Sequence, residues 1–247
     1  MFNIVTDTIY QALLFFFKLF GGDLGLSIIS LTLLTKLVLI PLTIPSIKSA
    51  KKMQELKPAL DQLKHKHQDK AKLQQAQLEL YKQHGINPAS GCLPQILQII
   101  ILIGLYQVLM KFLGQTIISG IQVKNQFLYL DLTKPDQFYI LPILAGVTQF
   151  VFSLMMQTGL EHHVNNPKAT QEKKKEEDSL EMAQTMQQQM LYTMPIMTTV
   201  ISLSFQSGLV LYWVISTVFS IIQQYIFSGL GGLKPFLVKI KIIKNIN

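Results

Sequence analysis

Five long apolar runs constrain the fold of this chain more than any other feature of its 247-residue sequence. They cover residues 24–47, 92–112, 138–156, 190–205 and 208–227. A helix needs roughly 20 mostly apolar residues to cross ~30 Å of hydrocarbon, and four of the runs come close to that length. The run at 190–205 has only 16 residues, so its helix would need polar flanks or a thinned bilayer. The sequence therefore predicts an all-α integral membrane protein with five transmembrane helices.

The distribution of lysines predicts how these helices are oriented. The chain has 22 basic residues, all of them lysine, and 14 acidic residues, which gives a net charge of +8. Nine lysines lie at 48–82, four at 168–175 and four at 234–244, all on one side of the five helices. The other side has only Lys18, Lys111, Lys124 and Lys134. Because cytoplasmic loops carry the excess of lysine, we expect the N-terminus outside and the C-terminus in the cytoplasm.

Residues 1–22 predict an amphipathic helix that lies in the outer interface of the membrane. Its apolar side chains recur at helical spacing, at Phe2, Val5, Ile9, Leu13, Phe16 and Phe20. A short sixth transmembrane helix is the alternative, and it is disfavoured because Asp7 and Gln11 would enter hydrocarbon. No basic residue precedes Lys18, so we expect this segment to belong to the mature protein and not to a secretory signal.

The segments between the apolar runs complete the predicted organisation. An apolar stripe from Met53 to Leu63 and another from Leu73 to Leu80 predict a helical hairpin in the cytoplasm. The predicted segments are a first transmembrane helix at 23–48, the hairpin at 49–87, a second transmembrane helix at 88–112, an extracytoplasmic loop at 113–136, a third transmembrane helix at 137–158, a cytoplasmic loop at 159–185, the fourth and fifth transmembrane helices at 186–228 and a basic cytoplasmic tail at 229–247.

Lys36 lies near the middle of the first predicted helix, ~18 Å from either end, which is too deep to reach water easily. A lysine at the centre of a span costs ~2.5–3.5 kcal/mol and by default faces a bundle interior or a water-filled cavity. Pairing with a carboxylate inside the membrane is excluded, because all 14 acidic residues fall outside the five runs. The same absence argues against a cation-coupled or proton-coupled transporter. Pairing with backbone carbonyls stays open, and otherwise the charge should attract passing anions or acidic side chains.

Other polar residues in the predicted helices could keep such a cavity hydrated. Each of them alone is more often an interhelical hydrogen bond than a functional group. The candidates that we place beside Lys36 in a substrate groove are Gln95, Gln98, Thr148, Gln149, Ser153, Thr198, Ser202, Trp213 and Ser216, with further hydroxyls at Thr199, Thr217 and Ser220. Trp213, the only tryptophan, fits an interfacial anchor as well as a cavity wall.

A methionine stripe enters the fourth predicted helix at spacings of four residues, at Met182, Met186, Met190 and Met194. Flexible methionines suit a surface that receives varied apolar partners, although core packing is the commoner reason for such a stripe. No metal site is predicted, because Glu161, His162 and His163 lack ligand spacing. With one cysteine, no nucleophile triad and no phosphate or DNA-binding motif, the sequence predicts neither a cofactor nor an enzyme.

Three segments resemble the YidC family of membrane protein insertases. The first segment, residues 32–42, is similar to that family's first transmembrane helix and has Lys36 ahead of Pro41-Leu42. The second is similar to that family's second transmembrane helix of the five, and its matching residues are Asn87-Pro88, Gly91-Cys92-Leu93-Pro94, Gln98 and Leu105-Tyr106. The third resembles its last transmembrane helix, with Gly208-Leu209-Val210-Leu211-Tyr212-Trp213 and Phe219-Ser220-Ile221-Ile222-Gln223-Gln224-Tyr225. The likeness runs through nearly the whole chain in the expected order.

The resemblance implies a minimal insertase whose five helices enclose a hydrophilic groove, in a multi-pass protein of a bacterial cell membrane. Family members have an arginine at the position that matches Lys36, so this chain keeps the charge but loses the planar fork of donors. The implied partners are nascent membrane proteins and the lipid bilayer, with the ribosome and the Sec translocon as further candidates. An anion channel or carrier and a scaffold for membrane protein assembly are the alternative functions.

Overall fold

The computed structural model of the chain describes residues 2–66, 70–86, 93–156, 179–234 and 237. Within these ranges the protein is mostly helical, with eight helices and four strands of two residues each. The helices are α1 (Phe2–Leu19), α2 (Leu24–Glu55), α3 (Lys57–Lys66), α4 (Lys70–Gln83), α5 (Leu93–Leu113), α6 (Ile140–Met156), α7 (Ser179–Ser204) and α8 (Ser207–Ser228). The strands are β1 (Ile117–Ile118), β2 (Ile121–Gln122), β3 (Gln126–Phe127) and β4 (Leu130–Asp131).

Three helical stretches are long and apolar enough to cross a membrane: α2, residues Ile96–Leu113 of α5, and α8. Helix α6 and residues Leu191–Ser204 of α7 are apolar but shorter. These stretches coincide with the five apolar runs of the sequence. The prediction of an all-α membrane protein with five spans is thus supported in a coarser form, as a mostly helical protein with three helices able to span a membrane in the described part of the chain.

Helix α2 begins at Asp23, whose Oδ1 accepts a hydrogen bond from the backbone N–H of Leu26 at 2.9 Å and so caps the helix. It continues through Pro41 and Pro45 to Glu55, beyond the end at residue 48 that hydropathy suggests. The polar residues after 48 are mostly lysine, glutamine and glutamate, which are good helix formers, so the change in polarity does not end the helix. At 1.5 Å per residue α2 is about 48 Å long and exceeds the hydrocarbon thickness.

Helix α8 packs against α2 and α6, and α6 packs against α7. The starts of α2 and α8 lie together, because Ile28 sits beside Gly208. Their ends also lie together, because Gln54 sits beside Gly231 and donates a hydrogen bond to the backbone carbonyl of Met155, at the end of α6, at 3.1 Å. Helices α2, α6 and α8 therefore run in the same direction.

Helix α1 is a packed part of the bundle and contacts α2 and α5. Leu13 and Phe17 are fully buried, and the ring of Phe112 near the end of α5 contacts Phe17 edge to face at 5.6 Å. Ile4 and Phe15 remain exposed, which leaves an apolar surface on the other side of α1. A helix thus lies where the sequence predicts one, with its buried stripe against protein, and its place in the outer interface stays a prediction.

Helices α3 and α4 contact each other and form the α3–α4 hairpin in the segment predicted to be a helical hairpin. A small apolar cluster of Leu60, Tyr81 and Ile86 stabilises the hairpin. Met53 near the end of α2 and Leu56 just after it pack against this cluster. Burial raises the pKa of the Tyr81 phenol above its usual value. The predicted turn between the two helices includes residues 67–69, which lie outside the described residues.

The loop at 114–139 between α5 and α6, called the α5–α6 loop below, contains two antiparallel β-hairpins, β1–β2 and β3–β4. The all-α prediction was wrong here, because strands of two residues are too short to show an alternating pattern. The loop caps the starts of three helices, and at α6 the Asp136 carboxylate accepts a hydrogen bond from the Leu141 N–H at 2.7 Å. A backbone bridge between Asp23 and Lys124 joins the loop to the start of α2. The Lys134 carbonyl of the loop accepts a hydrogen bond at 2.8 Å from the Ser207 N–H at the start of α8.

The β3–β4 hairpin ends in a tight turn held by Asp131. Its Oδ1 accepts hydrogen bonds from the backbone N–H of Thr133 at 3.0 Å and from the Thr133 hydroxyl at 2.6 Å, and Lys134 forms an ion pair with its Oδ2 at 2.9 Å. The Thr133 hydroxyl is the main cause that lowers the pKa of Asp131, and Lys134 adds to the effect. Asp131 is therefore a charged group that fixes the loop.

Candidate functional site

Lys36 is the centre of a polar cluster between α2, α5 and α8. Its ammonium Nζ donates hydrogen bonds to the side-chain oxygen of Gln98 on α5 and to the hydroxyl of Ser220 on α8, both at 3.0 Å. The lysine side chain is half-buried. Both acceptors are neutral, so among the described residues the positive charge is held in place without an ion pair. The ammonium has three N–H donors, and these two contacts account for two of them.

Gln98 connects the lysine to the buried face of α8. Its amide oxygen accepts a second hydrogen bond, from the hydroxyl of Ser216 at 3.1 Å. Its amide nitrogen donates to the phenol oxygen of Tyr212 at 2.9 Å. Because the oxygen faces an ammonium and a hydroxyl, only the nitrogen can turn toward Tyr212, and the amide has one favourable orientation. The cluster is therefore a connected network and not a set of independent polar side chains.

The polar face of α2 and α8 continues from this cluster toward the ends of both helices. The amide nitrogen of Gln223 donates to the hydroxyl of Thr43 at 2.6 Å. Beyond this pair Ser46 and Gln224 are buried, and among the described residues their side-chain polar atoms have no hydrogen-bond partner. Buried polar atoms are costly when unpaired, and water is their usual partner where protein offers none. The face is thus polar from Lys36 to the end of the helices.

The structure brings together four of the polar residues that the sequence analysis named for a groove, which are Lys36, Gln98, Ser216 and Ser220. The side chain of Gln95 lies outside the described residues, although its backbone belongs to α5. Trp213 is half-buried, and its carbonyl accepts the hydroxyl of Thr217 at 2.9 Å. Among the described side chains, no hydrogen bond joins Trp213 to the network around Lys36.

The predicted groove residues of α6 and α7 form a separate group. Thr148, on α6, donates to the Leu144 carbonyl of its own helix at 2.7 Å, and Gln149 and Ser153 are half-buried. Thr198 and Ser202 are buried on α7, which packs against α6. In the part of the chain that the structure describes, no hydrogen bond links either set to Lys36. The predicted groove residues therefore fall into two groups, one on α2, α5 and α8 and the other on α6 and α7.

The methionine stripe is described only at its end. Met194 is half-buried, whereas the side chains of Met182, Met186 and Met190 lie outside the described residues. The predicted surface for receiving a substrate therefore stays a prediction.

Sequence reasoning missed Tyr212, Thr43 and Gln223 as members of the polar face. A signal for Tyr212 was present in the spacing of α8, where polar or phenolic residues recur every four positions at Tyr212, Ser216, Ser220 and Gln224. Gln223 lies outside this row. Residues four apart share one face of a helix, so this row predicts one polar face. Thr43 is seven residues from Lys36 and lies on the same face of α2.

Comparison with known proteins decides which family the chain resembles through most of its length. The sequence model of a family described as 60Kd inner membrane protein matches residues 15–231. The chain is 37% identical over 217 residues to a Bacillus subtilis protein named membrane protein insertase MisCA, and the match covers 86% of this chain and 73% of that relative. It is also 37% identical over 213 residues to a Fusobacterium nucleatum protein named membrane protein insertase YidC, covering 85% and 89% of the two chains.

This chain belongs to the YidC family. The fold agrees: a crystal structure described as an active YidC insertase with its first transmembrane domain resolved matches 90% of this chain and 46% of its own, with a TM-score of 0.61 and 23% identity. The resemblance inferred from the three sequence segments is thereby confirmed. YidC proteins are non-enzymatic membrane proteins of bacteria, so the expectation of a multi-pass bacterial membrane protein without enzymatic activity agrees with the family.

Proposed function

We propose that this YidC family protein inserts membrane proteins into the bilayer, and that the network around Lys36 attracts the acidic part of the substrate. One observation carries the proposal: the Lys36 ammonium is held by the neutral side chains of Gln98 and Ser220, at 3.0 Å each. A resident carboxylate would cancel the charge, whereas neutral acceptors fix its position and leave it available to an anion. An acidic side chain of a passing polypeptide is such an anion.

The proposal includes five transmembrane helices with the N-terminus outside and the C-terminus in the cytoplasm. The common direction of α2, α6 and α8 supports it, because these are the first, third and fifth helices in that arrangement. Helix α6 has 17 residues, or about 26 Å, which is close to the hydrocarbon thickness. Helix α7 has 26 residues, so it is long enough when its polar first half is included.

The proposal also includes a hydrophilic groove along the polar face that starts at Lys36. Ser46 and Gln224, which are buried and have no side-chain hydrogen-bond partner among the described residues, support a hydrated path toward the cytoplasmic ends of α2 and α8. The groups on α6 and α7, of which Ser202 also has a buried hydroxyl without a described partner, would then form its second wall. Gln95, Gln149 and Trp213 are assigned to the groove on the sequence pattern.

The mechanism has three steps. The α3–α4 hairpin and the basic tail receive a nascent chain, at a ribosome or from the Sec translocon. The hydrated groove then draws the hydrophilic outer segment of the substrate partway across, and Lys36 holds its acidic residues. Finally the apolar helix of the substrate moves into the lipid, driven by burial of its apolar surface. Lipid and nascent membrane proteins are thus the partners, and no covalent chemistry takes place.

Reconstitution of the purified protein in liposomes tests this function directly. A small membrane protein with one transmembrane helix is added, and its protease-protected fraction is followed over time. Insertion faster than into protein-free liposomes supports the proposal, and insertion at the spontaneous rate contradicts it. Anion flux through the same liposomes without substrate would instead favour the channel or carrier.

Replacing Gln98 with leucine should slow the insertion of substrates that have an acidic outer segment by about tenfold. The substitution removes the oxygen that accepts hydrogen bonds from Lys36 and Ser216. A hydrogen bond to a charged group contributes about 1.5–3 kcal/mol, and 1.4 kcal/mol corresponds to a factor of ten in rate or affinity. The measurement is the liposome insertion rate with an acidic substrate and with its neutral variant.

Gln107 provides the matched control, because it is an exposed glutamine on the same helix. Gln107→Leu should insert both substrates at the wild-type rate. Gln98→Glu adds a second test, since a carboxylate beside the Lys36 ammonium cancels the attraction that the substrate would feel. Rapid insertion of the acidic substrate by Gln98→Glu would be inconsistent with a role for the Lys36 charge.

Deleting residues 56–80 should abolish insertion while the transmembrane helices stay folded. The α3–α4 hairpin packs on itself and on the end of α2 through Leu60 and Tyr81, and its absence leaves the contacts of α8 with α2 and α6 in place. Insertion is assayed in liposomes, and folding is checked by thermal unfolding in detergent. Wild-type insertion by the deletion variant would show that the hairpin does not deliver substrate.

A further inference from the structure

Two exposed, bulky residues of the α5–α6 loop have positive φ angles. Leu128 has a φ of 54° and is 84% exposed, and Tyr139 has a φ of 57° and is 57% exposed. Leu128 is the first of the two turn residues of the β3–β4 hairpin, a position at which glycine, asparagine or aspartate is the usual choice. A bulky side chain in this region costs about 1–2 kcal/mol. Exposure of the leucine and tyrosine side chains to water does not offset the free-energy cost of this strain. Another contact must therefore stabilise them.

The residues next to Leu128 and Tyr139 connect the hairpin tip to the start of α6. The rings of Tyr129 and Phe138 meet edge to face at 5.7 Å. The Tyr129 hydroxyl donates to Oδ2 of the buried Asp136 at 3.3 Å, and the same oxygen accepts the Leu141 N–H at 2.7 Å. Asp136 therefore ties the hairpin tip to the first turn of α6.

The exposed residues continue the apolar face of α6. Ile140, Ile143, Leu144 and Val147 follow one face of the helix and are all exposed in the bundle. In a transmembrane helix such a face contacts lipid. Phe138 and Tyr139 precede Ile140 directly, so the lipid-facing surface extends without a break from α6 onto the loop. Tyrosine at the end of a span is typical of the membrane–water interface, where its ring is apolar and its hydroxyl stays wet.

We propose that Leu128, Tyr129, Phe138 and Tyr139 form an interfacial anchor that enters the leaflet at this end of the bundle. The occupant of this surface is lipid, because the surface is continuous with the lipid-facing side of α6. The anchor holds the α5–α6 loop, which caps the starts of α2, α6 and α8, at a fixed depth. This inference does not depend on the insertion activity, so either can fail alone.

Spin labels at two matched turn positions test the anchor. In a Cys92→Ser background, one variant carries Leu128→Cys and the other Ser119→Cys, each labelled with a nitroxide. Ser119 is the first turn residue of the β1–β2 hairpin, has a φ of 52° and is exposed, so it matches Leu128 in backbone and differs in chemistry. The full chain is reconstituted in phosphatidylcholine and phosphatidylglycerol vesicles, and collisions with oxygen and with a water-soluble nickel chelate are measured.

We expect the label at 128 to collide preferentially with oxygen, which concentrates in lipid, and the label at 119 with the nickel chelate. Preference for nickel at both positions would overturn the anchor. Low accessibility of position 128 to both reagents would overturn it too, because it would show a protein contact there.

A second variant separates anchoring from the effect of the label. Asparagine tolerates positive φ, so the hairpin of the Leu128→Asn variant should fold. The substitution nevertheless removes the apolar side chain. With the label at the exposed position Gln126, this substitution should shift accessibility from oxygen toward nickel, whereas Ser119→Asn should not. An unchanged ratio in the Leu128→Asn variant would mean that Leu128 does not hold the tip in the membrane.

Discussion

Insertion of a membrane protein with an acidic outer segment should stop when Lys36 is replaced by glutamate. In the wild-type protein the Lys36 ammonium lies 3.0 Å from the side-chain oxygens of Gln98 and Ser220. A substrate carboxylate can approach the same ammonium. Two opposite charges ~4 Å apart near a protein surface attract each other by up to ~4 kcal/mol. Glutamate turns this attraction into repulsion of similar size. We expect the insertion rate to fall by more than about a hundredfold, since each 1.4 kcal/mol corresponds to a factor of ten.

The other substitutions at this position should form a graded series. Lys36→Arg should stay active, because the guanidinium keeps the charge and has enough donors for Gln98 and Ser220. Lys36→Ala should slow insertion by about tenfold or more for an acidic substrate and much less for its neutral variant. All variants are compared in the same liposome assay, with the substrate's outer acidic residues changed to glutamine as the second substrate.

Ser220→Ala is the control for this series, because it removes one acceptor and leaves the charge. It should lose much less activity than Lys36→Ala. Thermal unfolding in detergent has to show that each variant is folded before its rate is compared. Equal insertion rates for the arginine, alanine and glutamate variants would remove the charge from the mechanism.

Much of the fold could be predicted because the bilayer imposes a length and a polarity on each crossing. The apolar runs at 24–47 and 208–227 correspond to α2 and α8. Both helices begin next to the α5–α6 loop, within one residue of the predicted starts. The other end of α2 could not be placed, since hydropathy locates the membrane boundary and the helix continues past it to Glu55. The β-hairpins were missed because their two-residue strands are specified by turn geometry and by contacts with α2 and α8.

The site was predicted in part for a similar reason. A charge in the middle of an apolar helix is visible in the sequence, and so Lys36 was found. Its partners depend on how α2, α5 and α8 are rotated about their axes. This rotation cannot be read from the sequence of any one helix. Gln98 and Ser216 were candidates among many, whereas Tyr212 resembled any other apolar residue of α8 and was passed over. The place of Thr148 in the groove stays a prediction, because its hydroxyl bonds its own helix and shows no partner across the groove among the described residues.

Replacing Gly22 with alanine should destabilise the protein far more than the same change at the neighbouring Gly21. Both glycines lie in the turn between α1 and α2 and have positive φ, at 58° for Gly21 and 89° for Gly22. A Cβ on Gly21 would meet nothing within 4 Å, whereas a Cβ on Gly22 would overlap the carbonyl oxygen of Gln122 in β2. This backbone oxygen cannot turn aside as a side chain can. The turn must therefore move away from the α5–α6 loop.

We expect Gly21→Ala to lower the free energy of unfolding by about 1–2 kcal/mol, which is the cost of the left-handed conformation alone. Gly22→Ala should lose a further 1–3 kcal/mol or so from the overlap, as overpacked sites do. It should also weaken the hydrogen bond from the Lys124 N–H to the Gly22 carbonyl, at 2.9 Å, through which the loop caps α2. Equilibrium unfolding in detergent micelles gives both values. An equal loss for the two variants would show that strain in φ, and not the close approach of Gln122, makes glycine necessary in this turn.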